Sequence, residues 1–591
     1  MDFYQVMINH KLFFLLSIII LTTGCEMWPE HEKYSRPDWL PGKLYTTVSV
    51  QEDLTLFTEC LQLAGLDKII DVSGSWSVFA PTDEAMKQFL SENNYPTVYD
   101  IPPDELDRIT TFHVVQSPWT LDQLQILGVN GWKTGKDNNT NPHAFKRMTM
   151  LLNPVEKYWT RKVRKKELIV LDSINATRYK RVYVQSRKYV PVFYDEYMKL
   201  NGITAADFRF YFDRAYEPGA VYFAGAKILK SDILAENGIV HIIDRVVPPM
   251  MNGQELLEKE TPNESYRLFL DLVYWYYPQF KPNITATFNQ PDVRQGGVVD
   301  TLWDLNYPKL AFDLHSERIY DINQTLVRHN GIFVPTDDAL QEFFDGTLTS
   351  KSGFPHWGDH KSLPPDIVDL IVGQNFRSSP IYPSTNQYRQ IFKNSNRYRQ
   401  KEESIIRKEF GSNCTFIGLD TYVPDRAFTS VTGPVFCRPN YTTFRKALMF
   451  SGAIDDIASH NGQLLFFPIP DYALNTDSSL LINWIDRDED IFNFQVYNKM
   501  KRQMENVGRN TLRSWILNQV GTSVTEANGK QTIRTLGGRN LTWDHMTNTI
   551  RGTLPSTEGY QSNVTAVNTP VLLEEPTDNG KTYSVRHWFR F

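Results

Sequence analysis

Short apolar runs alternate with polar, helix-forming stretches along the chain, and one such block recurs. Residues 76–86 read Trp-Ser-Val-Phe-Ala-Pro-Thr-Asp-Glu-Ala-Met, and residues 331–340 read Gly-Ile-Phe-Val-Pro-Thr-Asp-Asp-Ala-Leu. In each, the apolar run around Phe79 or Phe333 predicts a strand, which Pro81 or Pro335 ends by withholding an N–H. Thr82 and Thr336 then carry the side chain of a helix N-cap. Asp83, Glu84, Asp337 and Asp338 follow where the helix end is positive. A looser third copy, Leu-Leu-Phe-Phe-Pro-Ile-Pro-Asp-Tyr-Ala-Leu, spans 464–474 with one residue inserted.

Each block is flanked by helical periodicity. Upstream lie Leu54, Phe57, Leu61 and Ala64 before the first, Tyr266 to Tyr277 before the second, and Phe444 to Ala453 before the third. Downstream, Ile101-Pro-Pro-Asp-Glu-Leu and Leu363-Pro-Pro-Asp-Ile-Val start helices with proline and an acidic first turn. Each unit is predicted to close on a turn and strand. These are Asn237-Gly-Ile-Val-His-Ile-Ile-Asp, Thr432-Gly-Pro-Val-Phe-Cys and Asn579-Gly-Lys-Thr-Tyr-Ser-Val, where glycine accepts the turn conformation.

On these two elements the sequence resembles the fasciclin-type domain family. The match rests on Val78, Phe79, Ala80, Pro81, Thr82, Asp83 and Ala85, and on Asn237, Gly238, His241 and Asp244. In the second copy it rests on Pro335, Thr336 and Asp337. The resemblance implies an α/β (α+β) fold of tandem wedges, each β-sandwich-like with helices packed across it, and large insertions. Three domains are expected, at 44–250, 262–437 and 440–591. From Thr82 to Thr336 the chain runs far longer than from Thr336 to Pro470, so insertions are expected near 132–220, 281–325 and 377–412. Long insertions on a stable scaffold are common sites of function.

Composition narrows the class. At roughly 150 residues per domain, 591 residues predict about four domains, and the repeat count reduces this to three with insertions. With 41% apolar and 22% charged residues, the chain is expected to bury cores. A net charge of −6 argues against a nucleic-acid-coating protein. Four cysteines exclude a disulfide framework.

The start of the chain has a pattern of its own. Lys11 precedes an apolar run, Leu12 to Leu21, too short to span a bilayer, and Thr22, Thr23 and Gly24 lead into Cys25. Residues 1–24 resemble a bacterial lipoprotein signal, with Cys25 the lipidated residue and 25–43 a tether; an ordinary cleaved secretory signal is the other reading. Glu26, Glu30 and Glu32 resemble the surface-export signal of Bacteroidota lipoproteins. The expectation is an outer-membrane, lipid-anchored protein facing the exterior.

Candidate chemistry is sparse. No zinc-protease, hydrolase-elbow, phosphate-loop or dinucleotide motif occurs. His356 and His360 have metal-helix spacing but lie among Gly and Pro. Asp486, Asp488 and Asp490 alternate as in a calcium loop, yet Ile491 and Tyr497 stand where Gly and Glu belong. His113, in Phe-His-Val-Val, resembles the Tyr-His element linked to integrin binding in animal fasciclin-type proteins, and aligns with Asn375 and Gln519; a buried structural histidine is the favoured reading. The stretch 272–277, Leu-Val-Tyr-Trp-Tyr-Tyr, reads as a core helix before a sugar-stacking platform.

The most unusual segment is Lys157–Lys188, which holds eleven basic residues against two acidic ones. Arg161, Lys162, Arg164, Lys165, Lys166, Lys180 and Arg181 are candidates for steering an acidic partner or anionic glycan; solvent-facing positions of inserted strands are the alternative. Cys414 and Cys437 are a candidate disulfide, and Cys60 reads as a buried thiol. No cofactor or metal is expected.

The sequence reading is a non-enzymatic surface interaction protein that docks onto outer-membrane proteins. The resemblance suggests as partner a TonB-dependent transporter with its lid lipoprotein, of the SusC/SusD type. An adhesin or polysaccharide-binding protein is the alternative, and an enzyme a distant third.

Overall fold

The computed structural model describes the chain from Pro37 onward. It omits 133–141, 153–156, 164–165, 170–176, 182–186, 285–301, 318–321, 349–356, 358–359, 385–401, 477–479, 487–490, 499–501, 554–567, 590–591 and scattered single positions. The described chain divides into two compact units. The first comprises residues up to Ile126, Arg147–Leu151 and Val221–Pro248; the second comprises Leu127–Lys146, Leu152–Ala220 and Pro249–Phe591. Among the described residues no helix is long and apolar enough to cross a membrane.

The first unit is organised by a parallel strand pair. Trp76–Pro81 runs alongside Gly238–Ile243 in the register Trp76↔Gly238 to Pro81↔Ile243. Val114–Gln116 flanks the first strand antiparallel, and Ala226–Ala235 flanks the second. Every residue from Ser77 to Pro81 is buried, as expected of a strand covered on both faces and therefore apolar without alternation. Helices Thr55–Leu63, Asp83–Glu92 and Pro103–Phe112 pack a core that includes Phe57, Leu61, Val78, Leu90, Ile109 and Val240. Gly238 is required by this pairing, because a Cβ there would lie 2.3 Å from the Trp76 carbonyl oxygen.

The second unit repeats the arrangement twice. Asn330–Pro335 is parallel to Cys414–Leu419, from Asn330↔Cys414 to Pro335↔Leu419. Leu464–Phe466 is parallel to the start of Gly580–Ser584. Sheets of four and seven strands grow from these pairs. One continuous core, with Phe343, Phe428, Phe436, Phe444 and Phe466, serves both repeats. The buried guanidinium of Arg445, in helix Thr442–Ser451, pairs with Asp366 of helix Pro365–Ile371 at 2.7 Å. The mixed α/β class expected from the repeated blocks is the one observed.

The second closing strand is not where the sequence placed it. Residues Gly433–Phe436 form a short helix with proline in its first turn, where a missing N–H is harmless. The strand occupying that role is Cys414–Leu419, so the second repeat closes before 437. Helix Arg267–Tyr276 buries Leu272, Val273 and Tyr274, which makes the aromatic run part of a core helix rather than a platform.

Two insertions meet in one sheet. Its strand order is Gln279–Pro282, Leu302–Asn306, Thr177–Arg181, Lys157–Val163, Lys166–Ile169. The two segments join through the parallel pairs Leu302↔Lys180 and Trp303↔Arg181.

Candidate functional site

The acidic residue after each strand has the same task three times. Thr82 Oγ1 accepts from Ala85 N at 3.2 Å and caps its own helix, while Asp83 Oδ1 accepts from Leu56 N at 2.8 Å at the start of the preceding helix. Thr336 and Asp337 repeat this, accepting from Ala339 N at 3.4 Å and Leu268 N at 2.7 Å. In the third copy Asp471 accepts from Thr442 N and Thr443 N at 3.0 and 2.8 Å. Burial raises the Asp471 carboxyl against these bonds. Each acid thus supplies two helix starts with charge and acceptors. Pro81 and Pro335 end the paired strands, and the next N–H, of Thr82 or Thr336, returns to the sheet at Ile243 O or Leu419 O.

The asparagine before each closing strand also recurs. Asn237 Oδ1 accepts from Leu44 N at 2.9 Å and its Nδ2 donates to Ile70 O at 2.6 Å. Asn579 accepts from Val431 N and donates to Ile457 O, both at 2.9 Å. In the second repeat the residue is Asn413, which accepts from Gly253 N at 2.9 Å and donates to Leu314 O and Ser316 O at 2.9 Å. Sequence reasoning missed Asn413 because Cys414 follows it instead of glycine; the turn closes through Gly411 N to Cys414 O at 2.8 Å.

His113 is fully buried, with Nδ1 donating to Ile109 O at 2.8 Å and Nε2 accepting from Val247 N at 3.2 Å. Burial lowers its pKa to about 4, so the ring is neutral and both nitrogens are engaged. The aligned residues do related work. Asn375 donates to Ile371 O at 3.3 Å. The Gln519 amide, oriented by its neighbours, donates to Phe467 O at 3.1 Å and accepts from Phe589 N at 2.7 Å. A position filled by His, Asn and Gln for the same kind of backbone bond is structural. His241 stacks on Phe79 at 4.9 Å and meets Trp119 O at 2.8 Å through Nε2, with burial lowering its pKa. Phe79 also stacks on Phe223 at 4.2 Å, and Asp244 Oδ1 accepts from Lys227 N at 2.8 Å.

The remaining candidates divide. Cys414 and Cys437 are buried free thiols, so the expected bridge is not formed. The Cys414 Sγ faces Gly253, where a Cβ would lie only 3.1 Å away, and burial raises its pKa. Cys60 is buried, with its thiol pushed up to about 12. Arg161, Lys162, Lys166, Lys180 and Arg181 lie on insertion strands whose backbone alone is described; Arg164, Lys165 and Cys25 lie outside the described residues. So do His356, Asp488 and Asp490. Among the described residues no cluster of three His, Cys, Asp or Glu could hold a metal.

Lys188, the last residue of the basic stretch, is fully buried. Its Nζ pairs with Glu255 at 2.5 Å and Glu317 at 3.0 Å, and Glu317 also accepts from Tyr189 N and Ser412 Oγ. This network joins residues too distant in sequence for any local signal to mark it.

Residues 52–150 and 183–249 match the fasciclin domain family, and the unmatched gap between them falls on the first insertion. Among solved structures the chain is similar to a FAS1 domain pair from the insect cell adhesion molecule fasciclin I. The identity is 14% and the TM-score 0.18, over 62% of this chain and 95% of that one. No curated protein matches. With both halves of the motif matched on either side of an insertion, residues 52–249 carry a fasciclin domain.

Proposed function

We propose that this protein is a non-enzymatic surface interaction protein, anchored by a lipid on Cys25, that docks onto other outer-membrane proteins. One observation carries the reading. The Asp, Asn and His side chains of the repeated motif are committed to backbone capping, while two distant insertions converge in a sheet of their own through Leu302↔Lys180 and Trp303↔Arg181. A scaffold whose polar motif residues support the fold has its variable surface in its insertions. The partner proposed is a TonB-dependent transporter with its lid lipoprotein. Affinity isolation of the full chain in detergent is expected to recover both; recovery of the chain alone overturns that partner. A Cys25→Ser variant is expected to leave the membrane fraction, and its retention there overturns the anchor.

A second reading, direct binding of a surface polysaccharide, is favoured by the basic insertion strands and by a polar cavity in the second unit.

A further inference from the structure

The second unit contains a cavity of about 450 Å³ between the segment that follows the second closing strand and the turn that opens the third. This is within the roughly 300–1,000 Å³ of small-molecule sites. Its walls are tied together by hydrogen bonds to backbone groups. Asp578 N donates to Thr429 O at 2.9 Å, and the neighbouring Asn579 fixes Val431 and Ile457. On the near side, buried Asp425 caps the short helix Arg426–Thr429 through Ala427 N at 2.8 Å. A site held this way loses little entropy when a ligand enters.

The side chains lining it have a definite polarity. Arg426 is half-buried, and its guanidinium makes no ion pair or hydrogen bond among the described residues. His460 Nδ1 accepts from Gly462 N at 2.9 Å, which leaves the ring proton on Nε2 as a donor. Asn461 and Gln463 add exposed amides, and Asp578 adds an exposed carboxylate. Val423, Pro424 and Ala458 supply apolar surface between these groups.

This set discriminates among ligands. A guanidinium and an imidazole N–H suit a carboxylate, which arginine binds through paired, charge-assisted bonds. Asp578 repels a plain anion, but it accepts hydroxyl protons, as do the amides of Asn461 and Gln463. A ligand with one carboxylate and several hydroxyls satisfies every group, and the apolar patches suit the C–H face of a sugar ring. We propose that this cavity binds a uronic-acid saccharide, with its carboxylate at Arg426 and His460 and its hydroxyls at Asp578, Asn461 and Gln463. The proposal rests on the polysaccharide-binding reading, not on the transporter partnership.

The test is calorimetric titration of the full chain in detergent with digalacturonate and, separately, with its methyl ester. The acid is expected to bind and the ester to bind much more weakly. Arg426→Met is expected to weaken acid binding by about tenfold or more, on the scale of a lost charged hydrogen bond, and Arg426→Lys to restore part of it. Gln463→Ala, at an exposed position, is expected to weaken acid and ester alike. Equal binding of acid and ester, unchanged affinity in Arg426→Met, or no binding of either ligand by the native chain overturns the proposal. Co-isolation of a transporter by Arg426→Met as by the native chain would show that the partnership stands apart from the cavity.

Discussion

At the scale of single residues, His113 couples the fold to pH. Both ring nitrogens are held by backbone groups, and burial lowers the pKa to about 4 from the usual 6.5. On acidification the unfolded chain therefore takes up this proton first. The stabilising effect is complete above pH 6.5 and declines as the pH falls through the interval down to about 4, by up to about 3 kcal/mol. Urea unfolding of the native chain and His113→Gln at pH 7 and pH 4.5 checks this. The first-unit transition of the native chain is expected to lose more stability between the two pH values than that of the variant. Equal losses would remove His113 from the account. The structural role of His113 was legible in the sequence, since a lone histidine in an apolar context is usually a satisfied core residue. The free state of Cys414 and Cys437 was not, because cysteine spacing carries no information about whether two Sγ atoms face each other.

At the scale of elements, one acid organises two helices. Asp337 begins its own helix and accepts the N–H of Leu268 at 2.7 Å and the hydroxyl of Ser265 at 2.5 Å. Asp337→Ala is expected to destabilise the second unit by roughly 1–2 kcal/mol. Asp337→Asn, which keeps an acceptor, should cost less. Chemical unfolding followed by circular dichroism distinguishes them, and equal effects would show that charge rather than geometry dominates. Strand–proline–threonine–acid blocks were legible because proline, capping hydroxyl and first-turn acid each act locally. The second closing strand was not. Its Asn413 lacks a following glycine, while Thr432-Gly433-Pro434 imitates a turn and forms a helix start. A pairing such as Asn330↔Cys414 is set by partners across the chain, which no local pattern records.

At the scale of the molecule, the second unit depends on a buried charge network. Lys188 from the first insertion pairs with Glu255, in helix Gly253–Glu258, and with Glu317, and Ser412 adds a bond to Glu317. Lys188→Met leaves Glu317 buried without its cation and is expected to cost roughly 3–5 kcal/mol. Adding Glu317→Leu should recover part of that loss, since an apolar pair replaces an unpaired charge. Thermal unfolding of the two variants checks this, and a milder single than double variant would refute it. The insertions themselves were legible from the spacing of the repeated blocks. Their destination was not, because Leu302↔Lys180 links segments that share no periodicity.

The division of the first repeat also has a consequence for biosynthesis. Its strand Trp76–Pro81 waits for Gly238–Ile243, and between them the ribosome delivers residues that belong to the other unit. Those residues pair among themselves, but the Thr177–Arg181 edge of their sheet waits for Leu302–Asn306. The nascent chain therefore holds two unfinished sheets at once, with unpaired edges exposed while translation continues. The first repeat therefore closes only after its insertion has been made, and its dependence on holding chaperones during synthesis should exceed that of a fasciclin domain without the insertion.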